Sequence, residues 1–428
     1  MKSKLIEQSV LFASVLKWFL IASLIGMVVG ISTTFFLKVL GWATGSVSHV
    51  TGYFLLLPLA MFISALAVKY LAPEAEGHGT EQVIEAIHKR FGKIKPAVVP
   101  VKLLATIITL SFGGSAGKEG PCAQIGAGLA SLFCDLFRFT DLDRTKLVIC
   151  GISAGFASVF GTPIAGAIFA VEVLAIGRIQ YAVLFPCFVS AIMAYQTSST
   201  FGIHYFHSII RFNRPFSERF FLEVIFIGIA CGLCAFLFIE LLQLTEKLSK
   251  KLSWWKPAKA LLGGSMVLLS TLVSPQYLGL GLGTIETTLK GETLSSWYDF
   301  LIKIYATVLT LSFGGSGGII TPIFFIGSTF GSWLGQLMHL APASIAALGL
   351  IGLLAGCANT PIAASILAME LFGTEIASYA AIVSVISFVI CGHRSVYPSQ
   401  ILSIQKSDSL KLNIGETIHD LNPPEWHR

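Results

Sequence analysis

Apolar residues run along this chain in blocks of membrane length, and the polar positions fall between the blocks instead of alternating within them. Residues 18–37 are 20 consecutive positions without a charge, bracketed by Lys17 and Lys38, enough for a helix to cross a hydrocarbon layer of about 30 Å. This block predicts an N-terminal helix over about 5–40. Its length and the lack of a small-residue cleavage site set it apart from a signal peptide. Charge-free blocks at 51–68, 182–205, 224–239 and 376–392 predict further transmembrane helices. Between them lie apolar pieces of about 10 to 16 residues, too short to span, interrupted by Gly-rich or Pro-containing turns at 112–121, 161–163, 313–322 and 359–361. These predict broken or re-entrant helices. In lipid each unsatisfied peptide group costs several kcal/mol, so a break at membrane depth must be buried in protein or line a wet cavity. The breaks therefore point at a ligand.

Composition narrows the class. Hydrophobic residues make up 54% and charged residues 12% of the 428 positions, with a mean hydropathy of +0.78, against about 25% charged in soluble domains. A soluble globular protein is excluded. The 41 Gly and 16 Pro are dispersed through apolar sequence, which excludes disordered and collagen-like chains. The formal charge of +6 reads as cytoplasmic loops, not as a nucleic-acid surface. Basic segments at 88–95, at Arg144 and Lys146, and at 247–259 are cytoplasmic on the positive-inside rule, partly offset by Arg211, Arg214 and Arg219 elsewhere. All eight cysteines lie in or beside apolar stretches and read as free thiols. The Cys231-Gly-Leu-Cys234 pair has no His or Asp partner in its charge-free stretch, so it reads as packing. No metal or cofactor is expected. The polar tail over about 400–428 leaves no room for a regulatory domain, and the chain reads as one membrane domain over 1–428.

An internal repeat adds the architecture. Residues 105–117 (ATIITLSFGGSAG) and 306–318 (ATVLTLSFGGSGG) agree at 10 of 13 positions at an offset of 201. The match extends to Pro121 and Pro322, Gly126 and Gly327, and Ser131 and Ser332. A second pair sets Thr162-Pro163-Ile164-Ala165 and Glu172 against Thr360-Pro361-Ile362-Ala363 and Glu370, and a weaker third sets Gly77-His78-Gly79-Thr80 beside Gly281-Leu282-Gly283-Thr284. Three matches in one order mean two homologous halves, repeat 1 over about 50–210 and repeat 2 over about 220–395. Repeats of broken apolar helices are the architecture of secondary transporters, which hold substrate near the midplane between the halves.

The repeated turns suit an anion. Gly117-Lys118-Glu119-Gly120-Pro121 and Gly318-Ile319-Ile320-Thr321-Pro322 each lead into an apolar helix, whose first N–H groups are free. A helix N-terminus favours negative charge by about 0.3 to 2 kcal/mol, and glycine lets a ligand approach the backbone. Glu119 stands in the first turn. An ionised carboxylate at membrane depth costs at least about 2.5 kcal/mol and is a functional candidate by default. It resembles the anion itself: ionised it occupies and closes the site, protonated it swings away carrying a proton. Its structural alternative is a simple helix cap.

These residues resemble the CLC family of chloride channels and proton/chloride exchangers, as a short bacterial-type member. The family elements G-S-G-I-P, G-[RK]-E-G-P, G-x-F-x-P and a late pore tyrosine correspond to Gly77-His78-Gly79-Thr80, Gly117 to Pro121, Gly318 to Pro322, and Tyr397. The resemblance implies an all-α polytopic fold of two inverted repeats, a homodimer with one pore per subunit, and residence in the cell (inner) membrane. It implies anion contacts at Gly77, His78, Gly79, Gly117, Lys118, Gly318, Ile319, Ile320, Thr321 and Tyr397, with Glu119 as the gating and proton-accepting glutamate. The expected function is chloride transport in exchange for protons, and not an enzymatic one.

Three departures keep alternatives open. His78 replaces the family serine, Ile320 replaces Phe, and Val173 stands where exchangers carry an inner proton glutamate, directly after Glu172. Valine carries no proton, so a passive channel is one alternative. Fluoride-exporting relatives also depart at the serine element, which makes a fluoride/proton exporter another. A cation-coupled symporter fits broken helices in repeats, but few intramembrane carboxylates are present to serve it. The nine histidines include no H-E-x-x-H pair, which disfavours an intramembrane hydrolase.

Overall fold

The computed structural model describes residues 2–208, 218–421 and 425–426. Arg211 and Arg214, weighed above for orientation, lie outside the described residues. Sixteen α-helices form among those described, eight in each half. The first half holds α1 (Lys2–Ser48), α2 (Leu57–Leu71), α3 (Thr80–Arg90), α4 (Val98–Ser111), α5 (Glu119–Phe137), α6 (Asp141–Phe160), α7 (Pro163–Glu172) and α8 (Tyr181–Thr200). The second repeats the order with α9 (Glu218–Lys251), α10 (Lys256–Leu268), α11 (Leu282–Lys290), α12 (Asp299–Ser312), α13 (Ile320–Leu337), α14 (Pro342–Ala358), α15 (Pro361–Phe372) and α16 (Ala377–Ile390). Four stretches are long and apolar enough to cross a membrane, over 6–48, 53–71, 181–200 and 219–251. Others, including α4, α7, α14 and α15, are apolar but span only 10–17 residues, the broken pieces that the hydropathy pattern predicts. The helix α1 packs on α6 and α8 as α9 packs on α14 and α16. The N-terminal helix, set outside the first repeat on sequence, is therefore its first element.

Local chemistry sets where helices stop and restart. Gly161 ends α6 and Asn359 ends α14 in the left-handed conformation, at φ 72° and 56°. Thr-Pro follows in both halves, and the proline at the first helical turn starts α7 and α15. The helices α13 and α14 are buried along nearly their whole length, as are α5 up to Ser131 and α6 from Leu147 to Val159. A methyl group on Gly126 would overlap the Gly151 carbonyl, and one on Gly349 the Gly327 carbonyl, so small residues set the close approach of both pairs, as in membrane helix packing. Leu16, Phe35, Leu59, Phe226 and Leu233 face outward from the long helices, which suits lipid and not water. All eight cysteines are buried free thiols.

The contacts between halves are reciprocal. The Thr106 hydroxyl pairs with Ser316 (3.1 Å) and Ser115 with Thr307 (2.9 Å), while the Ser115 amide donates to Thr310 and the Ser316 amide to Thr109, both at 3.1 Å. Each residue thus contacts the repeat counterpart of its partner's equivalent, the signature of a two-fold axis. Glu172 at the end of α7 accepts from the amides of Ile362 (3.0 Å) and Ala363 (2.7 Å) in the first turn of α15. Glu370 near the end of α15 accepts from Ile164 (3.0 Å) and Ala165 (2.8 Å) in the first turn of α7. Equivalent helices therefore run antiparallel, and the two halves are inverted.

Two buried lysines at equivalent repeat positions confirm the register. Lys102 on α4 donates to the carbonyls of Ala75 (3.1 Å) and Gly77 (2.5 Å), and Lys303 on α12 to those of Tyr277 (3.0 Å) and Gly279 (2.8 Å). Both are fully buried. The structural counterparts of Gly77 and Gly79 are thus Gly279 and Gly281, and all four have positive φ. The third repeat pair lies two residues earlier in the second half than the Gly-x-Gly-Thr match suggested, because Gly283 sits inside α11.

Candidate anion pathway

Three helix N-termini converge where the Gly-rich turns meet. A methyl group on Gly79, which precedes α3, would overlap the Gly120 carbonyl in α5, and one on Gly318, just before α13, would come within 2.7 Å of the Gly120 amide. Gly117 and Gly318 face each other as an antiparallel pair, exchanging N–H···O bonds of 2.7 and 2.6 Å. This corrects their expected role: their amides are spent on each other, so they bring the two turns together and do not offer N–H groups to an anion. The free amides belong to the first turns of α5 and α13, where no intrahelical partner exists.

Glu119 occupies that position. It opens α5, is 1% exposed, and its carboxylate accepts from the Thr321 amide at 3.1 Å and from the Thr321 hydroxyl. A negative group thus rests on the N-terminus of α13, where charge-assisted hydrogen bonds and the helix dipole act together. Thr321 lies inside the predicted set, yet its role as the partner of Glu119 was not legible in sequence. On one side stand His78 and Tyr397, with ring centroids 5.6 Å apart. The Tyr397 and Thr80 hydroxyls, which lie beside each other, and His78 Nδ1 form a buried polar cluster with no partner outside it, an arrangement that a small anion would satisfy. Tyr397 is held from behind, its amide donating to Ser395 Oγ at 2.9 Å.

Cavities approach from both faces. One of about 600 Å³ is bordered by Gly77, His78, Glu81, Ser316, Ser399 and the basic residues Lys89, Lys250, Lys256 and Lys259. Another of about 180 Å³ is bordered by Lys118, Thr321, His204, Glu286 and Phe324. The first touches the start of α3 and the second runs along α11, its inverted counterpart, so they lie on opposite faces. Lys118 therefore belongs to the mouth on the far side of Glu119 from Tyr397. Glu119 and Gly117 meet Thr321 on the wall of the smaller cavity, and Gly120 beside them meets His78 on the wall of the larger one.

Residues 59–392 match the family model described as voltage gated chloride channel. The chain belongs to this family, the CLC proteins. It is 36% identical over 402 residues to a chloride/fluoride channel protein of Pseudomonas syringae pv. tomato, covering 92% of this chain and 88% of that one. Among solved structures it superposes on a CLC-type fluoride/proton antiporter with a TM-score of 0.85, at 29% identity and with 90% and 97% of the two chains covered. A slow cyanobacterial Cl-/H+ antiporter shares the fold at a TM-score of 0.76, with 21% identity and 87% and 94% coverage. As a CLC protein it is an all-α integral membrane protein of two inverted repeats. Val173, at the position expected of an inner glutamate, is fully buried, and its carbonyl accepts from Gln400 Nε2 at 2.8 Å. Ile320 is buried at the start of α13.

Thr321 holds the Glu119 carboxylate through both its amide and its hydroxyl. A hydrogen bond to a charged group contributes about 1.5–3 kcal/mol, so losing one should raise the open fraction roughly tenfold or more. Thr321→Val is expected to speed anion efflux from liposomes at neutral pH by about that factor, with proton coupling retained. Efflux at the unaltered rate would show that the hydroxyl does not hold the gate.

Proposed function

We propose that this protein transports a small halide across the membrane in exchange for protons, with Glu119 as both gate and proton carrier. One observation carries the reading: the Glu119 carboxylate sits on the N-terminus of α13 between two cavities, in the place an anion would take. A carboxylate there must leave before an anion passes, and it leaves most readily when protonated, which couples the two movements. The matched relatives, named for chloride, fluoride and protons, support the same chemistry. Chloride is the first assignment. Fluoride is the second, favoured by the cluster of buried polar atoms at His78, Thr80 and Tyr397, since a small, strongly hydrated ion needs several close donors.

The anion-contacting groups in this reading are the first-turn amides at Ile319 and Ile320, the Thr321 amide, Tyr397 and the Gly77-His78-Gly79 turn, with Lys118 at the outer mouth. The basic residues around the larger cavity make that face cytoplasmic on the positive-inside rule. We read the protein as a transporter and not an enzyme, as a homodimer, and as resident in the cell membrane. The test is efflux from liposomes loaded in turn with chloride, fluoride and nitrate, with external pH recorded beside the anion electrode. Halide efflux with stoichiometric proton uptake is expected. Halide flux without proton movement would make it a passive channel, fluoride flux far above chloride would give the second assignment, and no anion flux would overturn the reading.

A further inference from the structure

Glu81 is a carboxylate that the gate does not use. It stands in the first turn of α3, an 11-residue amphipathic helix too short and too charged to span a membrane, and it borders the larger cavity. Its Oε1 accepts from the Ser399 amide (3.0 Å) and the Ser399 hydroxyl (2.5 Å), while Oε2 is buried with no hydrogen-bond partner. A carboxylate satisfied on one oxygen and desolvated on the other is disfavoured in its charged form. Burial pushes Glu81 up to about 7, with Ser399 opposing and the charges of Glu85 and Glu246 adding to the rise.

Its surroundings do not supply a compensating ion pair. Glu85 and Lys89 face the cavity from α3, Lys69 from α2, Glu246 and Lys250 from α9, Lys256 and Lys259 from α10, and His419 and Asp420 from the tail, with Glu76 and His78 just before α3; the Lys69 ammonium lies over the Tyr70 and Trp255 rings. Lys89 pairs with Glu85, Lys256 with Glu76, and Lys250 with Glu246. Lys259 donates to the Ser249 carbonyl, and Lys102 is committed to backbone carbonyls behind His78. Toward the gate, Ser399 lies two residues past Tyr397, and both Glu81 and Glu119 are close enough to Tyr397 to act on its hydroxyl electrostatically. No carboxylate stands at Val173.

We propose that Glu81 is the inner proton-transfer group of this transporter, in place of the residue missing at Val173; the assignment rests on the proton-exchange reading above. A hydronium ion in the cavity gives its proton to the Glu81 carboxylate and becomes water. The proton then passes through water beside Tyr397 to the Glu119 carboxylate, and Glu81 returns to its ionised form. No electrons move, and each cycle leaves both carboxylates as they began.

The test is the proton-to-anion flux ratio of reconstituted protein. Wild type is expected to couple, Glu81→Gln to lower the ratio at least about tenfold, and Glu81→His, which restores a group titrating near neutrality, to recover much of it. Glutamine still accepts from Ser399, so a folding defect is not built into the variant. Ser399→Ala, which removes one donor to the charged form, is expected to move the pH midpoint of coupled flux upward. Coupling unchanged in Glu81→Gln, equal loss in Glu81→His, or an unmoved midpoint in Ser399→Ala would each overturn the role of Glu81 while leaving exchange intact. Wild-type anion flux without protons would instead overturn the exchange reading and this assignment with it.

Discussion

Glu119→Gln is expected to abolish proton movement while halide flux continues and loses its dependence on pH. The carboxylate rests on the Thr321 amide and hydroxyl at the start of α13, and its hold depends on charge. Glutamine keeps the shape and carries no proton, and its single carbonyl oxygen can accept only one of the two bonds, without the charge. A lost hydrogen bond to a charged group is worth about 1.5–3 kcal/mol, so the gate should stand open roughly 10- to 100-fold more often. Glu119→Ala goes further by emptying the position, and direct anion binding measured by calorimetry should tighten because the internal competitor is gone. Parallel records from an anion electrode and a pH electrode check the first expectation. Persisting coupled proton flux in Glu119→Gln would remove Glu119 from the centre of the mechanism.

A second large effect is expected on stability, at a residue next to the vacant inner position. Glu172 is buried and its two oxygens accept the amides of Ile362 and Ala363. Glu172→Ala would leave the buried Ala363 amide at the start of α15 without a partner, at about 1–3 kcal/mol, would free the part-buried Ile362 amide, and would loosen the contact between the halves. A lower melting temperature and a shorter half-life in detergent are expected. Glu370→Ala removes the equivalent bonds to Ile164 and Ala165 and should act in the same direction. Glu172→Gln, which preserves one accepting oxygen, should fall between wild type and alanine in stability and leave the proton-to-anion ratio unaltered. A selective loss of coupling in Glu172→Gln, with stability kept, would instead make Glu172 a proton carrier.

Much of this was legible along the chain because its causes are local. Hydropathy and charge spacing mark the spans, since a helix in lipid must satisfy its own backbone. The Thr-Pro and Gly-rich turns mark helix starts because proline and glycine act within a few residues of themselves. Lys102 and Lys303 were equally legible and passed over: each is a lysine inside an apolar stretch at the same repeat offset of 201, the pattern of a charge with a fixed task. Glu81 offered no such signal. It sits on an amphipathic helix among other charges, where a carboxylate reads as solvated, and its burial is decided by Ser399, 318 positions away.

The sequence alone therefore determined a polytopic chain of two homologous halves, its breaks at membrane depth, the family and the candidate gate at Glu119. The tertiary structure decided that the halves are inverted, since offsets reveal equivalence but carry no direction. It also decided that Gly117 and Gly318 consume each other's amides, that Thr321 is what holds Glu119, and that Glu172 and Glu370 cap helices in opposite halves. Each of those contacts joins residues about 200 positions apart. Local propensity cannot specify such pairs; they exist only once the antiparallel packing of the repeats places one half's helix starts against the other's.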